Sequence, residues 1–109
     1  MVEIKAIVRP ERLDDVLHAM RQVPDSAGVT VSRVEGFGRE TPPRSDGGGF
    51  GRVLMAKVET VVSREAATAV VEAIARAAGT GRAGDGKIFV IPVDSVTNIR
   101  TGAVGPHPA

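Results

Sequence analysis

The stretch Thr80-Gly81-Arg82-Ala83-Gly84-Asp85-Gly86-Lys87 runs directly into the apolar segment Ile88-Phe89-Val90-Ile91. Three glycines in six residues leave backbone N–H groups uncovered, and Lys87 places a cation beside them. Such a loop suits an anion, and a phosphate fits it best. The spacing copies most of a P-loop, but Ile88 stands where a P-loop has Ser or Thr, and a strand follows instead of a helix. We predict a phosphate loop of another design, with a solvated glycine-rich turn as the alternative. We call residues 80–87 the glycine loop.

A strand and a helix precede the glycine loop. Residues 53–62 have a β pattern, with Lys57 and Glu59 on one face. Ser63 is a good N-cap, and Gly79 sits where a helix-terminating glycine belongs. The strand after the loop is predicted over 88–93, where Pro92 indicates an edge or a strand end. The apolar stripe of the helix comprises Ala66, Val70, Ile74 and Ala77 or Ala78.

The N-terminal part of the chain has the same order of strand, helix and strand. Residues 2–9 alternate apolar and polar side chains, as in a strand with one wet face. Pro10 permits a helix start and Pro24 lies in the segment that ends this helix. A second strand is predicted from Val29 to Gly36. The apolar side chains are Val2, Ile4, Ala6 and Val8 on the first strand, and Leu13, Val16, Leu17 and Met20 on the helix.

The order of elements predicts an α+β fold of the ferredoxin-like βαββαβ type, a four-stranded antiparallel sheet with both helices on one face. Residues 40–52, with two Pro and four Gly, form a long exposed loop. Residues 94–100 add a short extra strand, so that the domain covers 1–100 and a loose tail covers 101–109. The other sheet face also carries apolar residues, which predicts a homo-oligomer. These residues are Ile7, Val34 and Val58.

Composition restricts the function classes. A chain of 109 residues forms one domain, and a net charge of +1 argues against a nucleic-acid partner. The absence of cysteine excludes disulfides, a thiolate nucleophile and a cysteine-based zinc site. The charged N-terminal residues do not resemble a signal peptide, and no apolar run approaches a membrane span. We therefore expect a cytoplasmic protein.

Four segments in order resemble the PII signal-transduction family, across essentially the whole chain. They are Arg9–Val16, Gly28–Val31 with Gly36–Arg39, Thr80–Val90, and Ile99–Gly102. The resemblance implies a homotrimer with an adenine nucleotide (ADP, ATP or AMP) in each of three clefts between subunits. It also implies that the exposed loop 40–52, the T-loop, contacts a regulated partner, either a membrane transporter or a metabolic enzyme. Such proteins are regulators and not enzymes.

The resemblance also implies which residues bind. Glycine amides, Arg39 and Lys87 would meet the phosphates, while Thr30 and Val61 would line the base pocket. Arg100 would reach across the interface from a neighbouring subunit. The full nucleotide set is Thr30, Gly36, Phe37, Gly38, Arg39, Val61, Gly84, Asp85, Gly86, Lys87 and Arg100. The T-loop residues expected to meet the partner are Thr41, Arg44, Ser45, Phe50 and Arg52.

Three departures from the family pattern bear on ligand choice. Asn98 replaces an arginine aimed at the terminal phosphate, which predicts weak discrimination between ATP and ADP, with a preference for ADP or AMP. Glu40 replaces a glutamine that helps to hold metal and 2-oxoglutarate. Met55 stands where a lysine for 2-oxoglutarate is expected, although Lys57 faces the same side of the strand. Ordinary 2-oxoglutarate sensing is therefore not expected, and Mg²⁺ binding stays open. The T-loop has no tyrosine, which excludes uridylylation there.

The histidines and carboxylates of the sequence give other functions less support. His18 lies off the apolar stripe and is expected to be a solvated helix residue, and His107 lies in the tail. Asp85 is expected to form a turn and not to act as a general base. One alternative is a trimer of the same fold that binds metal or a small solute, as in divalent-cation tolerance proteins or bicarbonate sensors. Another is a small phosphotransfer enzyme, but the sequence does not indicate a pair of residues that could act as nucleophile and base.

Overall fold

A computed structural model describes residues 1–37 and 51–105. The elements are β1 (Val2–Val8), a 3₁₀ turn (Pro10–Arg12), α1 (Leu13–Arg21), β2 (Thr30–Gly36), β3 (Val53–Val62), α2 (Arg64–Ala78), β4 (Gly86–Pro92), β5 (Val96–Thr97) and β6 (Val104–Gly105). The main sheet is antiparallel with the order β2-β3-β1-β4. Both helices pack on one face of it, which confirms the predicted ferredoxin-like fold.

The core lies between the central strand β1 and the two helices. The four apolar side chains of β1 that were predicted to share a face are at most 1% exposed. From α1, Val16 and Met20 pack against them, and Leu13 and Leu17 are partly buried. From α2, the deepest residues are Ala67, Val70, Ile74 and Ala78. The α2 stripe is thus confirmed, except that Ala67 lies deeper than Ala66.

The two ends of α2 are closed in different ways. Ser63 is the N-cap as predicted, and its Oγ accepts a hydrogen bond of 3.2 Å from the backbone N–H of Ala66. Gly79 ends the helix, but its φ of −72° is extended and not left-handed. Its N–H donates to the carbonyl of Ala75, and a Cβ at this position would lie 3.0 Å from that oxygen. Close approach, and not a left-handed turn, therefore favours glycine there.

The sheet face away from the helices, the outer face, carries Ile7 and Val34 as predicted. Val58 does not lie there, because it is directly opposite Ala6 and cross-strand partners share a face. Its side chain is 1% exposed and belongs to the core. Phe89 and Ile91 on β4 are opposite Lys5 and Glu3, so they also lie on the outer face. Their side chains are 45% and 37% exposed, which leaves apolar surface for other copies of the chain to cover.

A short hairpin follows the main sheet. Strands β5 and β6 pair with Val96 opposite Gly105 and Thr97 opposite Val104. The extra strand predicted within 94–100 is present. Residues 104 and 105, in the predicted tail, pair with Val96 and Thr97. The hairpin therefore crosses the boundary predicted between residues 100 and 101. No helix in the described ranges 1–37 and 51–105 is long and apolar enough to cross a membrane.

Candidate functional site

The glycine loop joins the end of α2 to the start of β4. Gly81, Gly84 and Gly86 have φ values of +80°, +91° and +109°, which side chains with a Cβ rarely adopt. At Gly86 there is also no room, because a Cβ would come within 1.7 Å of the carbonyl oxygen of Ile7. The glycines are therefore required by the backbone path, and the loop is held tightly against β1.

The Asp85 side chain closes the loop on itself. Its Oδ2 accepts hydrogen bonds from the backbone N–H of Thr80 at 2.7 Å and of Gly81 at 3.0 Å. Its Oδ1 accepts from the Thr80 hydroxyl and, at 2.9 Å, from Nε of Arg9. The hydrogen bond from the Thr80 side chain and then the Arg9 guanidinium hold the pKa of Asp85 well below its usual range. Asp85 thus shapes the turn, as predicted.

Folding lowers the pKa of Asp85 from its ordinary value of 3.8. The ionised carboxylate therefore contributes its full stabilisation at pH values above 3.8, and this contribution falls as the pH drops below 3.8. We expect the Asp85→Asn variant to lose this contribution. The gap in free energy of unfolding between wild type and variant should be constant from pH 7 to about pH 5 and narrow below about pH 4. Urea unfolding at a series of pH values measures it. A gap independent of pH down to pH 3 would show that the carboxylate is not held in this way.

Four predicted site residues lie towards one end of the sheet, and we call them the loop-end cluster: Gly36 and Phe37 at the end of edge strand β2, and Gly86 and Lys87 at the start of edge strand β4. Lys87 is directly opposite Ile7, so its exposed side chain projects on the outer face. A pocket of about 270 Å³ lies between the end of α2 and the start of β4, and its lining includes Ala75, Ala78 and Gly79 as well as Ile7, Gly86 and Lys87. Gly36 ends β2 opposite Val53, beyond the last β1–β3 pair at Val8, and thus at the same end of the sheet. Phe37, next in the chain, is 60% exposed.

Two other predicted residues lie on the other side of the Lys87 row, with Thr30 level with Lys5 in the middle of β1 and Val61 opposite Glu3. Both line a pocket of about 320 Å³ together with Glu3 and Glu59. Val61 is opposite Glu3 on β1, whereas Lys87 is opposite Ile7, four residues further along the same strand. At about 3.4 Å per residue, the two rows are roughly 14 Å apart. The two pockets share no lining residue, so the predicted set is divided between two places.

Arg100 lies in the turn of the β5–β6 hairpin, and its side chain is exposed. The turn is closed by Asn98, whose Oδ1 accepts from the N–H of Thr101 at 3.0 Å and whose carbonyl accepts from Gly102 at 2.8 Å. Strand β4 ends at Pro92, which is opposite Val2. The chain therefore leaves the main sheet on the side of Val61, and the hairpin follows there. We call Thr30, Val61 and Arg100 the hairpin-end cluster.

The remaining predicted residues are placed as follows. Arg52 forms an ion pair of 3.2 Å with Glu35 at the start of β3. Met55 is buried opposite Val34, and the ammonium of Lys57, on the same face, lies 3.6 Å from Glu59. The following lie outside the described residues: Gly38, Arg39, Glu40, Thr41, Arg44, Ser45, Phe50 and His107.

The metal-binding alternative gains no support from the described ranges. They hold no group of three or more His, Asp or Glu side chains that could bind a metal ion. His18 is exposed on α1, as predicted. The sequence interpretation missed Arg9 and Thr80 as parts of the site. Their signal was present, because a threonine opens the glycine loop and an arginine ends β1, but only the fold brings Arg9 and Asp85 together across 76 positions.

Comparisons with known proteins identify relatives of this chain. The sequence profile described as nitrogen regulatory protein P-II matches residues 1–103. The chain is 45% identical to the nitrogen regulatory protein P-II of Rhizobium meliloti, with 96% of each chain covered. It is 42% identical to that of Synechocystis, with 94% of each covered. Among solved structures, PII from Arabidopsis thaliana bound to citrate superposes with a TM-score of 0.79 at 39% identity, covering 95% of this chain and 87% of that one.

Proposed function

The chain belongs to the nitrogen regulatory protein P-II family, and on that basis we propose that each nucleotide it binds is shared between two copies of the chain. P-II proteins are trimeric regulators without enzymatic activity, which bind adenine nucleotides and act on enzymes and transporters through the T-loop. The observation that supports the shared site is the separation of Val61 from Lys87 by four residues along one sheet face.

In this proposal the loop-end cluster of one copy holds the phosphates. Gly84 and Gly86 offer backbone amides, and Lys87 supplies an exposed point charge at the start of β4. The N–H groups of Ala83 and Gly84 have no acceptor within ranges 1–37 and 51–105, so they are available to an anion. Gly36, Gly38 and Arg39 would complete this wall, since Gly36 ends β2 at the same end of the sheet. The carboxylate of Asp85 would not touch the ligand, because both of its oxygens are bonded within the chain.

The hairpin-end cluster of the neighbouring copy would hold the base. Thr30 offers a hydroxyl to the adenine edge, and Val61 offers an apolar wall in the same pocket. Arg100 is exposed on the hairpin that leaves this end of the sheet, where it would reach the phosphates held by the first copy. Neither pocket is lined by residues of both clusters, so in this proposal a second copy completes the enclosure of the nucleotide.

The ligand preference follows from the turn around Asn98. Its side-chain amide oxygen is bonded to Thr101 inside the turn, so Arg100 is the cation that this turn presents. We propose that the cleft favours ADP or AMP over ATP, because one charge aimed at the terminal phosphate is missing. Glu40 and the buried Met55 argue against 2-oxoglutarate, and the ammonium of Lys57 is already near Glu59. Whether Mg²⁺ accompanies the nucleotide depends on residues 38–40.

Regulation would pass through the T-loop, residues 40–52, to a membrane transporter or a metabolic enzyme in the cytoplasm. Within it, Thr41, Arg44, Ser45, Phe50 and Arg52 are the proposed partner contacts. Arg52 and Glu35 pair across the base of the loop, which would link its orientation to the end of β2 and hence to Gly36. The division into a domain at 1–100 and a tail at 101–109 stays a prediction.

Calorimetric titration with AMP, ADP and ATP, each with and without Mg²⁺ and 2-oxoglutarate, tests the proposal. We expect saturable binding of ADP, with ATP no tighter and with no synergy from 2-oxoglutarate. The absence of binding by every nucleotide up to millimolar concentration would contradict the proposed function. Strong synergy with 2-oxoglutarate would show that the interpretation of Glu40 and Met55 is wrong.

A further inference from the structure

We infer that Arg9 is a positioning residue for the glycine loop: its guanidinium fixes the loop in the shape that accepts phosphate and neutralises the Asp85 carboxylate behind it. The inference rests on the proposed function, because phosphate binding is what this shape would serve. Arg9 itself would not touch the nucleotide. It would act through Asp85 and through the backbone of the loop.

The geometry of the guanidinium carries the inference. Nε of Arg9 donates to Oδ1 of Asp85 at 2.9 Å, and Nη2 donates to the carbonyl oxygen of Ala83 at 2.8 Å. One planar group therefore binds the loop on both sides of Gly84. A Cβ on Gly84 would lie 3.4 Å from Nη2, so the arginine packs directly against the turn. A lysine has a single ammonium and cannot reproduce this fork.

Arg9 is itself held firmly. It follows the last residue of β1 and precedes Pro10, whose ring restricts the residue before it to extended backbone. Its φ of −63° and ψ of 137° fit that restriction, and its carbonyl accepts a 3.0 Å hydrogen bond from the N–H of Arg12. The side chain is only 22% exposed. The fork thus connects the loop to the central strand of the sheet.

The positive charge of Arg9 has a second effect, because it neutralises the Asp85 carboxylate. The hydrogen bonds from Thr80, Gly81 and Arg9 occupy both oxygens of the Asp85 carboxylate, but its negative charge stays within the loop that would hold the phosphate. An unbalanced carboxylate would repel a phosphate, and the repulsion would grow with the charge of the ligand. The guanidinium cancels it at a distance of 2.9 Å. Removing Arg9 should therefore weaken ADP binding more than AMP binding.

The test compares the Arg9→Ala, Arg9→Lys and Arg12→Ala variants of the full chain. Arg12 is a matched control, since it lies three residues away and its side chain makes, among residues 1–37 and 51–105, only an exposed ion pair of 3.5 Å with Asp15. Calorimetry with ADP and with AMP measures affinity, and hydrogen exchange measures protection of the Thr80 and Gly81 amides, which bond to Asp85.

We expect Arg9→Ala to bind ADP about tenfold or more weakly, because two hydrogen bonds from a charged donor and its neutralising charge are lost. The loss should be smaller for AMP, and the Thr80 and Gly81 amides should exchange faster. Arg9→Lys should retain part of the ADP affinity through its charge while the amides still exchange faster. Arg12→Ala should match wild type in every measurement. Should Arg9→Ala fail to fold, Arg9→Lys supplies the exchange comparison.

A double-mutant cycle separates positioning from a general loss of stability. In an Asp85→Asn background Arg9 no longer has a carboxylate to hold in place, so Arg9→Ala should cost less ADP affinity than it does in wild type. Equal costs in the two backgrounds, or an Arg9→Ala variant that binds and exchanges like Arg12→Ala, would overturn the inference. Failure of wild type to bind any nucleotide would instead contradict the proposed function, and hydrogen exchange would still report whether Arg9 fixes the loop.

Discussion

Replacing Gly86 by alanine should lower the free energy of unfolding by about 3 kcal/mol or more. Two costs combine at this position. The φ of +109° is unfavourable for any residue with a Cβ, which costs about 1–3 kcal/mol. The added carbon would also come within 1.7 Å of the Ile7 carbonyl oxygen, a backbone atom that cannot turn away as a side chain could. Relief therefore requires the start of β4 to move away from β1.

Two glycines of the same chain serve as controls for Gly86→Ala. Gly81 has a φ of +80° and open space around its Cβ position, so Gly81→Ala isolates the backbone cost, about 1–2 kcal/mol. Gly28 has neither a positive φ nor a neighbour within 4 Å, so Gly28→Ala should stay within about 0.5 kcal/mol of wild type. Urea unfolding at one fixed protein concentration measures all three. A Gly86→Ala variant as stable as Gly81→Ala would show that the strand is free to move.

Replacing Lys87 by alanine should weaken ADP binding about 10- to 100-fold, because a hydrogen bond to a charged group contributes about 1.5–3 kcal/mol. The trimer should stay intact, since Lys87 is exposed and belongs to no core cluster in the described residues. Calorimetry measures the affinity and analytical ultracentrifugation measures the assembly.

Lys57→Ala is the matched control for Lys87→Ala. Both lysines are directly opposite Ile7, one on each neighbouring strand, so both lie on the outer face. Of the two, Lys87 is the last residue of the glycine loop, whereas the ammonium of Lys57 lies near Glu59. Without 2-oxoglutarate, Lys57→Ala should bind ADP like wild type. Equal effects of the two substitutions would remove Lys87 from a specific role and indicate a general influence of charge on this face.

Local patterns in the sequence were sufficient for the elements and for the glycine loop. Alternation along residues 2–8, the stripe of α1 and the N-cap Ser63 each depend on neighbours in sequence, and each is confirmed. Asp85 is predicted as a turn former from its place between Gly84 and Gly86, and its partners Thr80 and Gly81 do lie only a few residues away.

Features that depend on the register between strands could not be predicted from the sequence. Alternation shows that Val58 shares a face with every second residue of β3, but only pairing with Ala6 shows which face that is. Arg9 and Asp85 meet because β1 and β4 are adjacent, which no local pattern specifies. The same holds for the separation of Thr30 and Val61 from Lys87. The resemblance named these residues as one set, and the register shows that one chain divides them.

The most direct test of the shared cleft is to measure ADP binding to trimers assembled from two defective chains, Lys87→Ala and Arg100→Ala. Trimers of either variant alone should bind ADP weakly. If the cleft is shared, each mixed trimer contains one cleft with Lys87 from one chain and Arg100 from its neighbour, so tight sites reappear on mixing. Native mass spectrometry confirms that the trimers are mixed. If verified mixed trimers bind ADP no better than the separate variants, the two residues do not serve one site across an interface, and the central claim is wrong.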